Sequence, residues 1–128
     1  MVFKLTNLII ADTTNGVWLR TFHLYKGFFR KFTITGQVVR GSIKKIKVPS
    51  LNYKSIKYKS LRVGYSRRAL IIVANKIYKL KNDLNYSVSC NAVVIYGKRK
   101  SFKGNSITGI MTKQVQQRKY IAKAIHII

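Results

Sequence analysis

Leu8-Ile9-Ile10-Ala11-Asp12-Thr13-Thr14-Asn15-Gly16-Val17-Trp18-Leu19-Arg20-Thr21-Phe22-His23-Leu24-Tyr25 is the stretch that decides the fold class. Its first four residues are apolar and suit a strand, and the polar run after them ends in Asn15-Gly16, a pair that supplies the positive φ of a tight hairpin turn. The return segment, residues 17–25, is rich in aromatic and β-branched side chains. With a period of two, Trp18, Phe22 and Leu24 share one face with Arg20 among them, while Val17, Leu19, Thr21 and His23 share the other. Apolar residues on both faces predict a strand partly covered on each side, as in a small barrel.

The same alternation continues outward. Residues 26–35 form a basic aromatic connection around Gly27-Phe28-Phe29-Arg30-Lys31-Phe32, after which Gly36 opens a strand from Gln37 to about Val48, where Pro49 ends it. Residues 50–60 set Tyr53 and Tyr58 among Lys54, Lys57 and Lys59 without an apolar stripe, which predicts a long loop or the arms of a β-ribbon outside the core. Residues 61–66 and 69–74 read as two strands separated by Arg67-Arg68, with turns at Asn75-Lys76 or Lys81-Asn82-Asp83. Residues 88–96 read as another strand, closed by Gly97. Gly104 and Gly109 punctuate a polar segment, residues 112–118 suit a short helix capped by Thr108 or Thr112, and the alternating residues 120–127 read as a strand that returns to close the barrel. No internal repeat or linker interrupts the chain, so residues 1–128 are expected to form one domain.

Composition narrows the function. The 128 residues carry 26 Lys and Arg against 2 acidic side chains, a formal net charge of +24. Charge of one sign at this density repels itself and is relieved by a polyanion, so nucleic acid is the expected partner. A 47% hydrophobic and 12% aromatic content is ample for one core and argues against disorder of the whole chain. Cys90 has no partner for an internal disulfide and no zinc-type spacing around it, which leaves it as a small apolar core residue. The longest apolar run, residues 69–74, is far short of a membrane span, so no membrane insertion is expected. The first five residues lead straight into a strand-like segment and leave no room for a secretory signal, and no Arg-rich presequence is visible. Lys, Ile, Asn, Tyr and Phe are abundant, with 18 Lys to 8 Arg, as an AT-rich gene would produce. That bias suits a protein made inside an organelle, and an AT-rich bacterium would leave the same trace.

Catalysis finds little support. Asp12 and Asp83 are far apart in sequence and give no acid and base pair, and Asp12 beside a turn is more simply a local backbone acceptor. His23 and His126 lie in strand patterns without carboxylate neighbours and read as packing or RNA-contacting residues. No phosphate-cradling loop, dinucleotide fingerprint, metal site or cofactor motif is present. The basic residues divide into those on strands, such as Arg40, Lys44 and Lys47, and those in loop clusters, Arg67-Arg68, Lys98-Arg99-Lys100 and Arg118-Lys119. The loop clusters are the better candidates for phosphate contact, because side chains there converge without disturbing a core. Phe28, Phe29 and Phe32 beside Arg30 and Lys31 suit stacking on unpaired bases, with core burial equally open for at least one of them.

The order of these features resembles the L-fourteen family of large-subunit ribosomal proteins over nearly the whole chain. Leu8-Ile9-Ile10-Ala11-Asp12 and the polar turn ending in Gly16 resemble the family's opening Ala-Asp-Asn-Ser-Gly with one extra residue. Gly36-Gln37-Val38-Val39 with Ile43-Lys44-Lys45, Leu61-Arg62-Val63 with Arg67, and Asn91-Ala92-Val93-Val94-Ile95 resemble successive family strands. Gly104, Ile107, Gly109 and Thr112-Lys113 resemble its late turn and helix. Gln37, Ser89 and Gln114 stand where members usually carry acids, and Ser106 and Ile110 where they usually carry Arg or Pro. The lost acids raise net charge and leave the contacts of the late turn open. Residues 50–59 have no good match.

The resemblance implies a mainly β fold, a small five-stranded β-barrel with a protruding β-ribbon and a short C-terminal helical segment, acting as a structural component and not an enzyme. It further implies binding to large-subunit rRNA, a bridge to small-subunit rRNA, ribosomal proteins three and nineteen as neighbours, and a docking site for a ribosome-silencing factor. Lys44, Lys45, Arg67 and Lys113 inherit candidate RNA contacts, to which charge clustering adds Lys47, Arg68, Lys98, Arg99, Lys100, Lys103, Arg118 and Lys119. Asp12, Gly16, Gly36, Gly104, Gly109 and Thr112 are the expected turn residues. A mitochondrial ribosome is the expected location, with a plastid or bacterial cytoplasm as alternatives. The rivals are a free RNA-chaperone domain, and a cationic membrane-active protein for which the chain lacks an amphipathic helix.

Overall fold

Along Gly16–His23 Leu19 and Thr21 are buried while Trp18, Arg20 and Phe22 are exposed, the signature of a strand with one face on a core and the other toward solvent. This strand belongs to a barrel in the computed structural model, which describes residues 1–47, 61–79, 83–97, 103–115 and 123–128. In chain order the strands are β1 (Val2–Phe3), β2 (Asn7–Ile10), β3 (Gly16–His23), β4 (Phe32–Thr33), β5 (Val38–Ile46), β6 (Ser66–Val73), β7 (Ile77–Lys79), β8 (Asn85–Ser87), β9 (Ala92–Ile95), β10 (Ile107–Met111) and β11 (Ala124–Ile127). Strands β2, β3, β5, β6 and β9 close into the expected five-stranded barrel, antiparallel except where β2 meets β9. Closure leaves no bare edge in the barrel, and its inward side chains form a core of Leu8, Ile10, Leu19, Val39, Ile43, Ala69, Ile71, Val93 and Ile95. Val2, Leu24 and Leu61 join that core from outside the barrel strands.

Gly41 sets how closely two of these strands approach. A Cβ there would lie 2.5 Å from the Arg20 carbonyl oxygen and 2.9 Å from Leu19 Cδ2, so any side chain pushes β5 off β3. Gly41→Ala is expected to cost about 3 kcal/mol as an overpacked core does, read as a lower urea midpoint with unchanged slope.

The turn between β2 and β3 differs from the sequence expectation. Neither Asn15 nor Gly16 has a positive φ. Gly16 is required instead by space, since a Cβ would meet Ile10 Cδ1 at 2.6 Å and Leu61 Cδ1 at 2.7 Å. Asn15 acts through its side chain. Its Oδ1 accepts the Leu61 N–H at 2.6 Å and its Nδ2 donates to the Leu61 carbonyl at 3.1 Å, imitating a strand partner for a residue outside any strand. Arg67 and Arg68, read as a break, lie within a single strand β6, and residues 61–65 precede it outside any strand, although the Gly64 N–H and the Tyr65 carbonyl bond Ile43 of β5.

A second layer covers part of the barrel from outside. From Ala69 to Val73 β6 is buried on both faces, because Leu70, Ile72, Val73, Ala92, Val94 and Tyr96 point outward into a second apolar cluster with Ile107, Met111 and Val115. That cluster packs under β10 and β11, which pair in parallel. The C-terminal alternating segment therefore lies over the barrel wall and does not close the barrel. Thr112 does not cap a helix. It is buried and ties the layer down, its Oγ1 donating to the Ile72 carbonyl at 3.0 Å, while Thr108 lies in β10. Lys113 and Gln114 form a turn, and no helix occurs among the described residues. Residues 116–118 of the expected helix and the expected ribbon at 50–60 lie outside them.

Gly36 and Gly109 take the positive φ that their turns need, 83° and 86°, the latter where the β10–β11 register slips, and Gly104 is buried in the bend before β10. Cys90 is half-exposed and not in either core cluster. No helix of the described residues is long and apolar enough to cross a membrane.

Candidate nucleic-acid interface

Strand register places the outward side chains of β2, β3, β5 and the start of β6 in rows. Ile9, Trp18 and Lys45 form one, and Asn7, Arg20, Ser42 and Ser66 the next. His23, Arg40 and Arg68 form a third. These residues are exposed apart from half-buried Ser42, because among the described residues the outer layer covers the β6 and β9 side of the barrel. The barrel thus has one covered wall and one bare wall.

The bare wall is cationic. Lys44 and Lys45 are consecutive in a strand, where alternation would send one of them inward. Trp18 pairs with Lys45 and Leu19 with Ile43, so Lys44 is an extra residue in β5, a β-bulge that turns both ammonium groups outward. Together with Asn7, Trp18 and Arg20 they line a shallow pocket of about 310 Å³. An exposed indole between cations offers a stacking surface beside phosphate-binding charge.

Arg40 and Arg68 are direct cross-strand partners, an arrangement of like charges that destabilises a sheet unless an anion joins it. Arg40 Nη2 reaches Ser66 Oγ at 3.1 Å, a neutral acceptor. The chain's 2 acids do not relieve this wall. Asp12 is 6% exposed and spends its carboxylate on two main-chain N–H groups and the Thr14 hydroxyl, and Asp83 lies in the turn before β8.

A smaller cationic group stands at the barrel rim. Arg67 Nε is buried with no hydrogen-bond partner, and its guanidinium carbon lies 5.7 Å from the Tyr65 ring centroid. Burial, then repulsion from Arg67, holds the Lys103 ammonium below the ordinary lysine pKa, with Asp12 opposing the shift. A lysine perturbed by a neighbouring arginine marks a place where an anion would be welcome.

The predicted contacts therefore separate. Lys44, Lys45 and Arg68 share the bare wall, Arg67 and Lys103 share the rim, Lys47 is exposed just past β5, and Lys113 belongs to the outer layer, its N–H bonded to the Ile128 carbonyl at 2.8 Å. Lys98, Arg99, Lys100, Arg118 and Lys119 lie outside the described residues. Among the described residues, strand cations converge on the bare wall, and Lys103 from the bend before β10 joins Arg67 at the rim. Sequence reading missed Trp18, Arg20 and Asn7 as site residues. The shared parity of Trp18 and Arg20 was visible, but parity does not tell which face looks inward.

A closed barrel with one bare cationic wall and one wall under an apolar outer layer defines a small basic β-barrel scaffold. The sequence profile of the family described as ribosomal protein L14p/L23e matches residues 1–127, and the chain belongs to that family. It is similar to the large ribosomal subunit protein uL14m of Tetrahymena pyriformis, 29% identical over 122 residues that cover 94% of each chain. The protein is accordingly a structural constituent of the large ribosomal subunit, of the mitochondrial type, and not an enzyme.

Proposed function

We propose that the bare wall binds large-subunit rRNA in a mitochondrial ribosome. The observation that carries this reading is the set of three outward rows holding Arg20, Arg40, Lys45 and Arg68, with the bulged Lys44 beside them and no carboxylate among them. Cations fixed on barrel strands hold phosphates at set spacings, so binding releases counterions without ordering flexible side-chain carriers first. Arg67 and Lys103 at the rim extend the contact, and the part of that wall not taken by large-subunit rRNA offers a route to small-subunit rRNA in an intersubunit bridge. The outer layer is the surface for protein neighbours, including ribosomal proteins three and nineteen and a silencing factor. Among the described residues β11 pairs on one side only, and Ile125 and Ile127 are exposed on it.

Sedimentation of tagged protein from mitochondrial lysate, with sequencing of the RNA that travels with it, tests the reading. Comigration with the large subunit and its rRNA, lost in an Arg20, Lys44 and Lys45 triple Ala variant that keeps its thermal midpoint, is the expected result. Slow sedimentation with mixed RNAs would support a free RNA chaperone instead.

A further inference from the structure

Residues 26–31 leave the barrel just beyond His23, the last residue of β3 and a member of the third cationic row. The loop carries Phe28 and Phe29, each 89% exposed, although a pair of phenyl rings in water is a cost that folding normally removes. The rings touch each other, with centroids 5.3 Å apart and planes at 85°. Such a pair forms a corner, one ring presenting a face and the other standing across it.

The loop that holds the corner is fastened from below. Lys26 and Gly27 both take positive φ, 77° and 116°. Arg30 folds back, its Nε donating to the Phe32 carbonyl at 2.9 Å and its Nη2 to Gln37 Oε1. The same Gln37 oxygen accepts from Thr33 Oγ1 at 2.7 Å and from the Ile34 N–H at 3.3 Å. Gln37 thus gathers the base of the loop while the phenyl rings stay outside. Lys26 and Lys31 remain exposed on either side of the rings.

We propose that Phe28 and Phe29 capture a single unpaired RNA base at the end of the cationic wall. The inference rests on the RNA-binding reading of that wall and adds what the RNA must present there. A base entering the corner stacks on one ring and meets the other edge-on, while Lys26 and Lys31 hold the flanking phosphates. A perfect duplex, with its bases stacked inside, cannot supply such a base without flipping one out. The occupant is RNA and not an apolar protein segment because the rings are bracketed by lysines and continue a wall without acids.

The test uses the full chain and two RNAs, a fully paired hairpin and the same hairpin with one bulged 2-aminopurine. Wild type is expected to bind the bulged RNA about tenfold more tightly, the worth of one aromatic stack, and to quench the 2-aminopurine fluorescence. Phe28→Ala with Phe29→Ala should abolish both the preference and the quenching while leaving affinity for the paired hairpin unchanged. Lys26→Ser with Lys31→Ser should weaken both RNAs and keep the quenching. The proposal fails if wild type binds the two hairpins equally, or if the preference survives loss of both rings. It fails too if the double Ala variant is lost from the ribosome without any bulge preference in wild type, which would make the loop a protein contact. Wild type binding neither hairpin would instead count against the RNA-binding reading itself.

Discussion

Asp12→Ala is expected to destabilise the protein by about 3–5 kcal/mol, because several buried donors lose their acceptor at once. The Asp12 carboxylate accepts the Thr14 N–H at 2.9 Å and the Thr14 hydroxyl on one oxygen, and the Ile95 N–H at 2.8 Å on the other. Thr14, Ile95 and Asp12 itself are buried, so water does not readily replace the acceptor. Asp12→Asn should cost less, since Oδ1 can keep both Thr14 bonds while the amide nitrogen turns a donor toward the Ile95 N–H. Urea denaturation of the two variants should therefore rank wild type, Asn and Ala in falling order. A loss below about 1 kcal/mol for Ala would mean that the site hydrates or relaxes and that the carboxylate is not a structural centre.

The size of that effect comes from where Asp12 stands. Its neighbours fasten three parts of the molecule: Ala11 N–H bonds the Val93 carbonyl of β9 at 2.9 Å, and the Ala11 carbonyl accepts from Thr108 of β10 at 2.9 Å. Thr13 Oγ1 accepts the Asn105 N–H at 2.8 Å, which holds the bend around Gly104. The segment between β2 and β3 is therefore a clasp between barrel and outer layer as well as a hairpin turn. In a chain with 26 cations, one buried carboxylate at this junction also lies near enough to Lys103 to support its charge.

Asp12 as a backbone acceptor was readable from its place beside a polar turn, but the long-range bond to Ile95 was not, because nothing local announces a contact 83 residues away. The barrel was legible for a physical reason: alternation over 18–22 and 38–43 fixes which residues share a face. The partner of the last strand was not, since the alternation of residues 124–127 fits any sheet, and only pairing with β10 and the packing of Ala124 on the outer cluster place it outside the barrel. Arg67-Arg68 read as an interruption because charge is rare inside strands. The barrel rim and the bare wall give those two side chains somewhere to go without ending β6. The bulge at Lys44 carries no Gly or Pro to mark it, so the placing of two adjacent lysines on one face is legible only in the register. Gln37 was noted for its missing acid, and its role as a triple acceptor shows why an amide oxygen serves there.

Removing charge from the bare wall should move stability and RNA affinity in opposite directions. Arg40 and Arg68 face each other across β5 and β6, so Arg68→Ser relieves a like-charge pair and is expected to stabilise the free protein by about 0.2–1 kcal/mol. On the proposed RNA-binding reading the same change removes a phosphate contact. Each phosphate neutralised contributes about 0.7–0.9 to the slope of log affinity against log salt, so the five wall cations together predict a slope of about −4. Raising salt from about 50 to about 200 mM should then weaken binding by a few hundredfold. Lys44→Ala with Lys45→Ala should flatten the slope by nearly two units, and Arg68→Ser by nearly one. Measured on one large-subunit rRNA fragment, with melting followed in the same buffers, the expected signature for Arg68→Ser is a higher midpoint with a shallower salt slope. Lower stability with an unchanged slope would make Arg68 a structural residue of the sheet, and the like charges across β5 and β6 would then not belong to an RNA-binding wall. The opposed signs would follow from one cause: like charges fixed on one wall repel each other until an anion joins them, so part of the proposed binding energy is relief of that repulsion.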